Sequence, residues 1–137
     1  MDNNKYYIPN AEDFNIGVEC QVYYPREEVW KDREIRHSED LNEILSRFMV
    51  DNTSVRFKYL DEDDILDCGF QYHNSGLDFI KVYSKHIIRI RLRKGLNQVS
   101  IFKRYKNSEA ELREFCGKIK NKNEFQRLLK QLEIDAL

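Results

Sequence analysis

Eight residues set the terms for the fold: His86-Ile87-Ile88-Arg89-Ile90-Arg91-Leu92-Arg93. From Ile88 onward, apolar side chains alternate with arginines. A helix would scatter those arginines around its axis. An extended strand instead places every second side chain on one face, giving an apolar face and a cationic one. Strands with one buried face belong to antiparallel sheets, because parallel sheets are covered on both sides. The flanking segments at about 78–84 and 98–106 repeat the period of two. Lys94-Gly95-Leu96-Asn97 reads as a hairpin turn, and Asn74-Ser75-Gly76 as a turn before the first strand.

The remaining chain supplies further strands and the helices to cover them. Ile16, Val18, Cys20 and Val22 alternate with polar residues and predict a half-buried strand that Pro25 ends. Val29 to Arg36 reads as an edge strand, Val55 to Tyr59 as another strand, and 111–119 as one more. Leu41, Ile44, Leu45, Phe48 and Met49 have helical spacing, with Asp40 and Glu43 as a capping pair and Asp51-Asn52 as the stop. Asp61-Glu62-Asp63-Asp64 opens a short helix that Gly69 closes. Asn121 begins a C-terminal helix with Phe125, Leu128, Leu129 and Leu132 as its apolar stripe. Residues 1–13 are polar, contain Pro9, and read as a loose lead-in. The 137 residues hold no Pro/Gly-rich break, so the economical expectation is one α+β domain over 14–137. It would have an antiparallel β-sheet and two or three covering helices, the C-terminal one included.

Catalytic signatures are scarce. Cys20, Cys68 and Cys116 and His37, His73 and His86 offer reactive types without a recognised local arrangement. Cys68 and His73 read as a buried thiol and a loop histidine. No Cys-x2-Cys or His-x3-His pair marks a zinc site. The acids at 61–64 lack the glycine and closing glutamate of a calcium loop. The five glycines are scattered singly, so neither glycine-rich nucleotide motif is present. The expectation is a protein that is not an enzyme, with no cofactor and no metal. Apolar runs are too short to span a bilayer, and Met1-Asp2-Asn3-Asn4-Lys5 lacks the apolar core of a secretory signal. With three widely spaced cysteines, this favours reduced thiols and a cytoplasmic location.

Charge points to a surface. Residues 1–67 carry 8 Lys/Arg against 17 Asp/Glu, and residues 68–137 carry 15 against 7. Between Asp78 and Glu109 there is no acid but nine bases. Within the predicted strands, Ile80, Val82, Ile88, Ile90, Leu92, Val99 and Ile101 are expected to face the core. Phe79, Lys81, Tyr83, Arg89, Arg91, Arg93, Phe102, Arg104 and Lys106 are then expected to face away. Rings among cations on a sheet stack on nucleobases and meet phosphates in single-stranded nucleic-acid binders. Arginines and aromatics are also favoured anchors of protein interfaces. A third reading is a face that is solvated or covered by an acidic segment. Because Arg89, Arg91 and Arg93 alternate with core residues, reversing their charges is expected to leave the core intact.

The order Ile16-Gly17-Val18-Glu19-Cys20, Val55 to Ile65, Gly69-Phe70 and Gly117 to Phe125 resembles small uncharacterised proteins of gut-bacterial (Bacteroides-type) phages and mobile elements. The resemblance covers roughly 14–134, and its motifs are structural. It implies a small phage protein inside a bacterial host cell that binds a host or phage macromolecule; inhibition of host antiviral defence is among the roles of such proteins. The alternative expectation is an RNA- or single-stranded-DNA-binding module using the basic-aromatic face.

Overall fold

The structure is a computed structural model that describes residues 5–74 and 78–134. Ser75 and Gly76 of the expected turn lie outside the described residues. Two antiparallel sheets stand where the sequence suggested one, and the chain falls into two compact units, 1–59 and 60–137. The expected α+β class holds, including the C-terminal helix.

The first unit contains β1 (Tyr6–Tyr7), β2 (Glu19–Tyr24), β3 (Val29–Glu34), α1 (Ser38–Val50) and β4 (Val55–Lys58). Its sheet runs β1-β4-β2-β3. Part of the expected lead-in is therefore a strand, with Tyr6 opposite Lys58 and Tyr7 opposite Phe57. Val18, Cys20, Val22, Val55 and Phe57 pack with Ile35, Phe14 and Ile44 of α1 in one core. Ile16 was expected among them but is exposed, since β2 starts only at Glu19. Helix α1 begins earlier than its apolar spacing indicated. His37 is the cap residue, and Asp40 Oδ2 accepts hydrogen bonds from the His37 and Arg36 backbone N–H groups, both at 3.1 Å. Asp40 thus reaches back from the first turn to the cap residue and the residue before it.

The second unit contains α2 (Glu62–Asp67), β5 (Gln71–His73), β6 (Asp78–Val82), β7 (His86–Arg93), β8 (Gln98–Tyr105), β9 (Leu112–Lys118) and α3 (Lys122–Gln131). Its sheet is a simple meander in chain order from β5 to β9. Ile88, Ile90, Val99 and Ile101 form one core with Phe125, Leu128 and Leu129 of α3 and Ile65 of α2. Asn121 caps α3 by accepting from the Glu124 N–H at 2.9 Å. Gly69 ends α2 at φ 94°, a left-handed conformation that glycine adopts without the steric cost of a Cβ.

The unit boundary changes the charge picture. The acids of 61–67 fold with the basic strands. Residues 1–59 hold 8 Lys/Arg against 12 Asp/Glu, and residues 60–137 hold 15 against 12. The asymmetry drawn at residue 67 shrinks to net charges of −4 and +3.

Candidate functional site

Strand β7 sets the site. Ile88 and Ile90 are fully buried, and Arg89, Arg91 and Arg93 project from the opposite side. In β8, Ser100 lies opposite Arg91, Phe102 opposite Arg89 and Arg104 opposite Ile87, so Phe102 and Arg104 share the outward face as expected. Lys106 follows the end of β8 and is exposed.

Strand β6 is turned the other way from the sequence reading. Phe79 pairs with Ile90 and is 2 % exposed, inside the core. Lys81 pairs with Ile88, and its Nζ donates to the Cys68 carbonyl at 3.3 Å, close to the Phe70 and Tyr83 rings. Tyr83 packs against the same core. Phe79, Lys81 and Tyr83 therefore do not belong to the outward face, while Ile80 and the exposed Val82 do. The physical reason is Asp78. It shares the parity of Ile80, so turning Ile80 inward would leave a carboxylate in an apolar core, at a cost of several kcal/mol by order of magnitude. The observed parity sets Asp78 beside two arginines.

Those arginines are held tightly. Asp78 is 2 % exposed and accepts from Arg89 Nη1 at 3.1 Å, Arg91 Nε at 2.9 Å and Arg91 Nη2 at 3.5 Å. Arg89 also forks onto Glu111, with Nε–Oε2 at 3.0 Å and Nη2–Oε1 at 2.8 Å. Its guanidinium carbon sits 4.1 Å from the Phe102 ring centroid. Burial pushes the Asp78 pKa up, but the Arg91 hydrogen bond and the charges of Arg89 and Arg91 outweigh it, leaving the group below its ordinary value. The hydrogen bond from Arg89 holds Glu111 below its ordinary value as well. Arg104 Nη1 donates to the carbonyls of Ser108 at 3.0 Å and Tyr105 at 3.4 Å. A cleft of about 390 Å³ opens among Asp78, Ile80, Arg89, Arg91, Arg104 and Glu111.

Sequence reasoning missed two groups. In β9 the register slips between Ile101 and Phe102 of its partner strand, leaving Glu114 as an extra residue. This bulge keeps both Arg113 and Cys116 on the outward side, opposite Phe102 and Ser100. Cys116 is exposed, and its Sγ accepts from Gln98 Nε2 at 3.4 Å and Ser100 Oγ at 3.5 Å, which draws its pKa down. Cys20 is buried, and burial pushes its thiol up to about 11. In the first unit, Arg56 lies between the Tyr6 and Trp30 rings, 3.9 and 4.1 Å from their centroids. Tyr23 joins Trp30 at 5.3 Å, and Arg56 Nε donates to Gln21. This row crosses four strands. Only the strand pairing, which no local pattern encodes, brings it together.

No family model, curated protein or solved structure matches the chain. Among the described residues no helix is long and apolar enough to cross a membrane, and no three His, Cys, Asp or Glu side chains are grouped to hold a metal ion.

Proposed function

We propose that this is a small phage-type binding protein, not an enzyme, that acts in a bacterial host cell by binding a host or phage protein through the outward face of β6–β9. Inhibition of a host defence component is the role in keeping with its resemblance to phage proteins. The observation that carries the reading is the composition of the face. Of the three rings expected beside the bases, Phe79 and Tyr83 pack on the core side, and Phe102 is already stacked by Arg89. A single-stranded nucleic acid needs a series of open rings on which to stack bases. The face instead mixes Ile80, Val82 and Ile87 with arginines held in fixed orientation by two acids. Fixed arginines among apolar side chains suit a protein interface, because little side-chain freedom is lost on binding.

The test is a pull-down from host lysate with and without nuclease. A partner captured despite nuclease, and lost when exposed Arg93 and Lys106 are changed to glutamate, supports the reading. Capture that disappears with nuclease, or binding that falls steeply with salt, restores the nucleic-acid alternative. Full capture by the Arg93→Glu/Lys106→Glu variant removes this face from the site.

A further inference from the structure

We infer that the cleft between Arg91 and Arg104 is a carboxylate-binding site that receives a glutamate or aspartate side chain from an acidic segment of the partner. The inference rests on the reading of this face as a protein interface and names the chemistry at its centre.

Three observations carry it. The first is the supply of donors. Arg91 spends Nε and Nη2 on Asp78, and its side chain is 49 % exposed. Arg104 spends Nη1 on two carbonyls. Arg91 Nη1 and Arg104 Nε and Nη2 make no hydrogen bond among the described residues. Guanidinium groups satisfy carboxylates through paired N–H donors, so the cleft lacks an acceptor of that kind.

The second observation is that the cleft already binds this chemistry. Glu111 sits on Arg89 in a two-pronged fork, and Asp78 sits between Arg89 and Arg91. The site repeats one arrangement, guanidinium to carboxylate, and Arg91 and Arg104 each line it with donors to spare.

The third is the charge count. Three arginines face two carboxylates in the cleft, which leaves a single positive charge. One carboxylate balances it. A run of phosphates would have to pass Asp78 and Glu111, whose charge opposes it. Ile80 and Ile87 line the same cleft and place apolar surface beside the charges. Arg91 is fixed by the buried Asp78 before any partner arrives, so its donors do not have to be ordered on binding.

The probe is a hexaglutamate peptide blocked at both ends, added to the full chain labelled with nitrogen-15. The arginine Nε–Hε signals are followed by NMR. Saturable shifts are expected at Arg91 and Arg104, with Arg89 unmoved and hexaglutamine silent. Arg104→Gln should weaken the peptide by about tenfold, as loss of a charge-assisted pair implies. Arg104→Lys, which keeps the charge without the fork, should fall between. Arg127→Gln, an exposed change on α3 away from this face, should bind within about threefold of the unchanged chain. Absence of saturable shifts, or equal binding by Arg104→Gln, overturns the inference. Inorganic phosphate shifting the same two arginines at lower concentration than the peptide also overturns it, by making the cleft a phosphate site. These results are separable from the fate of the face as a whole. A nuclease-resistant partner lost with Arg93→Glu/Lys106→Glu but kept by Arg104→Gln leaves the interface standing and removes only the cleft.

Discussion

Replacing Arg89 by glutamine removes three interactions at once: one of two ion pairs to Asp78, the fork onto Glu111, and the stack on Phe102. Asp78 is the costly survivor, because its side chain is 2 % exposed and water cannot take the place of the lost donor. Stripping a partner from a buried ion pair typically costs about 3–5 kcal/mol. Arg91 remains at 2.9 Å, so the lower end, about 3 kcal/mol, is expected for Arg89→Gln. Arg91→Gln should cost less, about 1.5 kcal/mol, since that side chain is half exposed and Asp78 keeps Arg89. Arg93→Gln should stay within about 0.5 kcal/mol of the unchanged protein, as a surface position. The triple reversal to glutamate should therefore unfold the second unit, contrary to the expectation from alternation alone. Urea unfolding at pH 7, followed by far-UV circular dichroism, measures the series through the midpoint at constant slope. Asp78→Asn on the Arg89→Gln background is the control, because it removes the stranded charge and should recover more than about 1 kcal/mol. An Arg89→Gln protein as stable as the parent, or a double variant no better than the single, would refute this account of the buried carboxylate. The acid limb gives a second reading. The Asp78 pKa is depressed in the fold, so its contribution is complete above the unfolded carboxylate value of about 3.9 and disappears as pH falls through the folded value.

The other expectations can be checked more briefly. Leu128→Ala should lower stability by about 2–5 kcal/mol in urea, because Leu128 is 8 % exposed and sits in the core with Ile88 and Ile101. Unchanged stability with lost binding would make α3 an interaction element instead. Asn121→Ala removes the cap of α3 and should cost about 1 kcal/mol in the same assay, with Asn121→Asp close to neutral. All three cysteines should be alkylated under denaturing, non-reducing conditions, since none forms a disulfide. In the native protein, mass spectrometry of an iodoacetamide time course should find Cys116 modified first and Cys20 last, following exposure and thiol pKa. Faster labelling at Cys20 would show that the first core opens readily.

Much of the second sheet was legible in the sequence because its strands are long. Six alternating residues in β7, Ile88 to Arg93, define both faces, and Gln98–Tyr105 confirms them across the hairpin. The facing of β6 was not legible from its apolar residues, because Phe79 and Ile80 compete for the same side. Asp78 held the better signal: an acid heading an otherwise acid-free stretch belongs on the side where the arginines are. Tyr6–Tyr7 and Gln71–His73 are too short to show any period. The row formed by Tyr6, Arg56, Trp30 and Tyr23 depends on pairings between residues up to 52 positions apart, and local patterning carries no record of those. Of the nine expected site residues, the six on β7, on β8 and just beyond it lie on the outward side. Phe79 and Lys81 on β6, and Tyr83 just past its end, do not.

Trp30, wedged against Arg56 and Tyr23, has a practical consequence. It is the chain's single tryptophan, and it lies in the first unit. Its emission is an optical reporter placed by the sequence in one unit only, with a cation 4.1 Å from the ring to make the folded signal distinct. Circular dichroism, by contrast, sums the strands and helices of both units. Comparing the two signals along one denaturation curve distinguishes a chain that melts as a whole from one that melts in halves, with no label introduced.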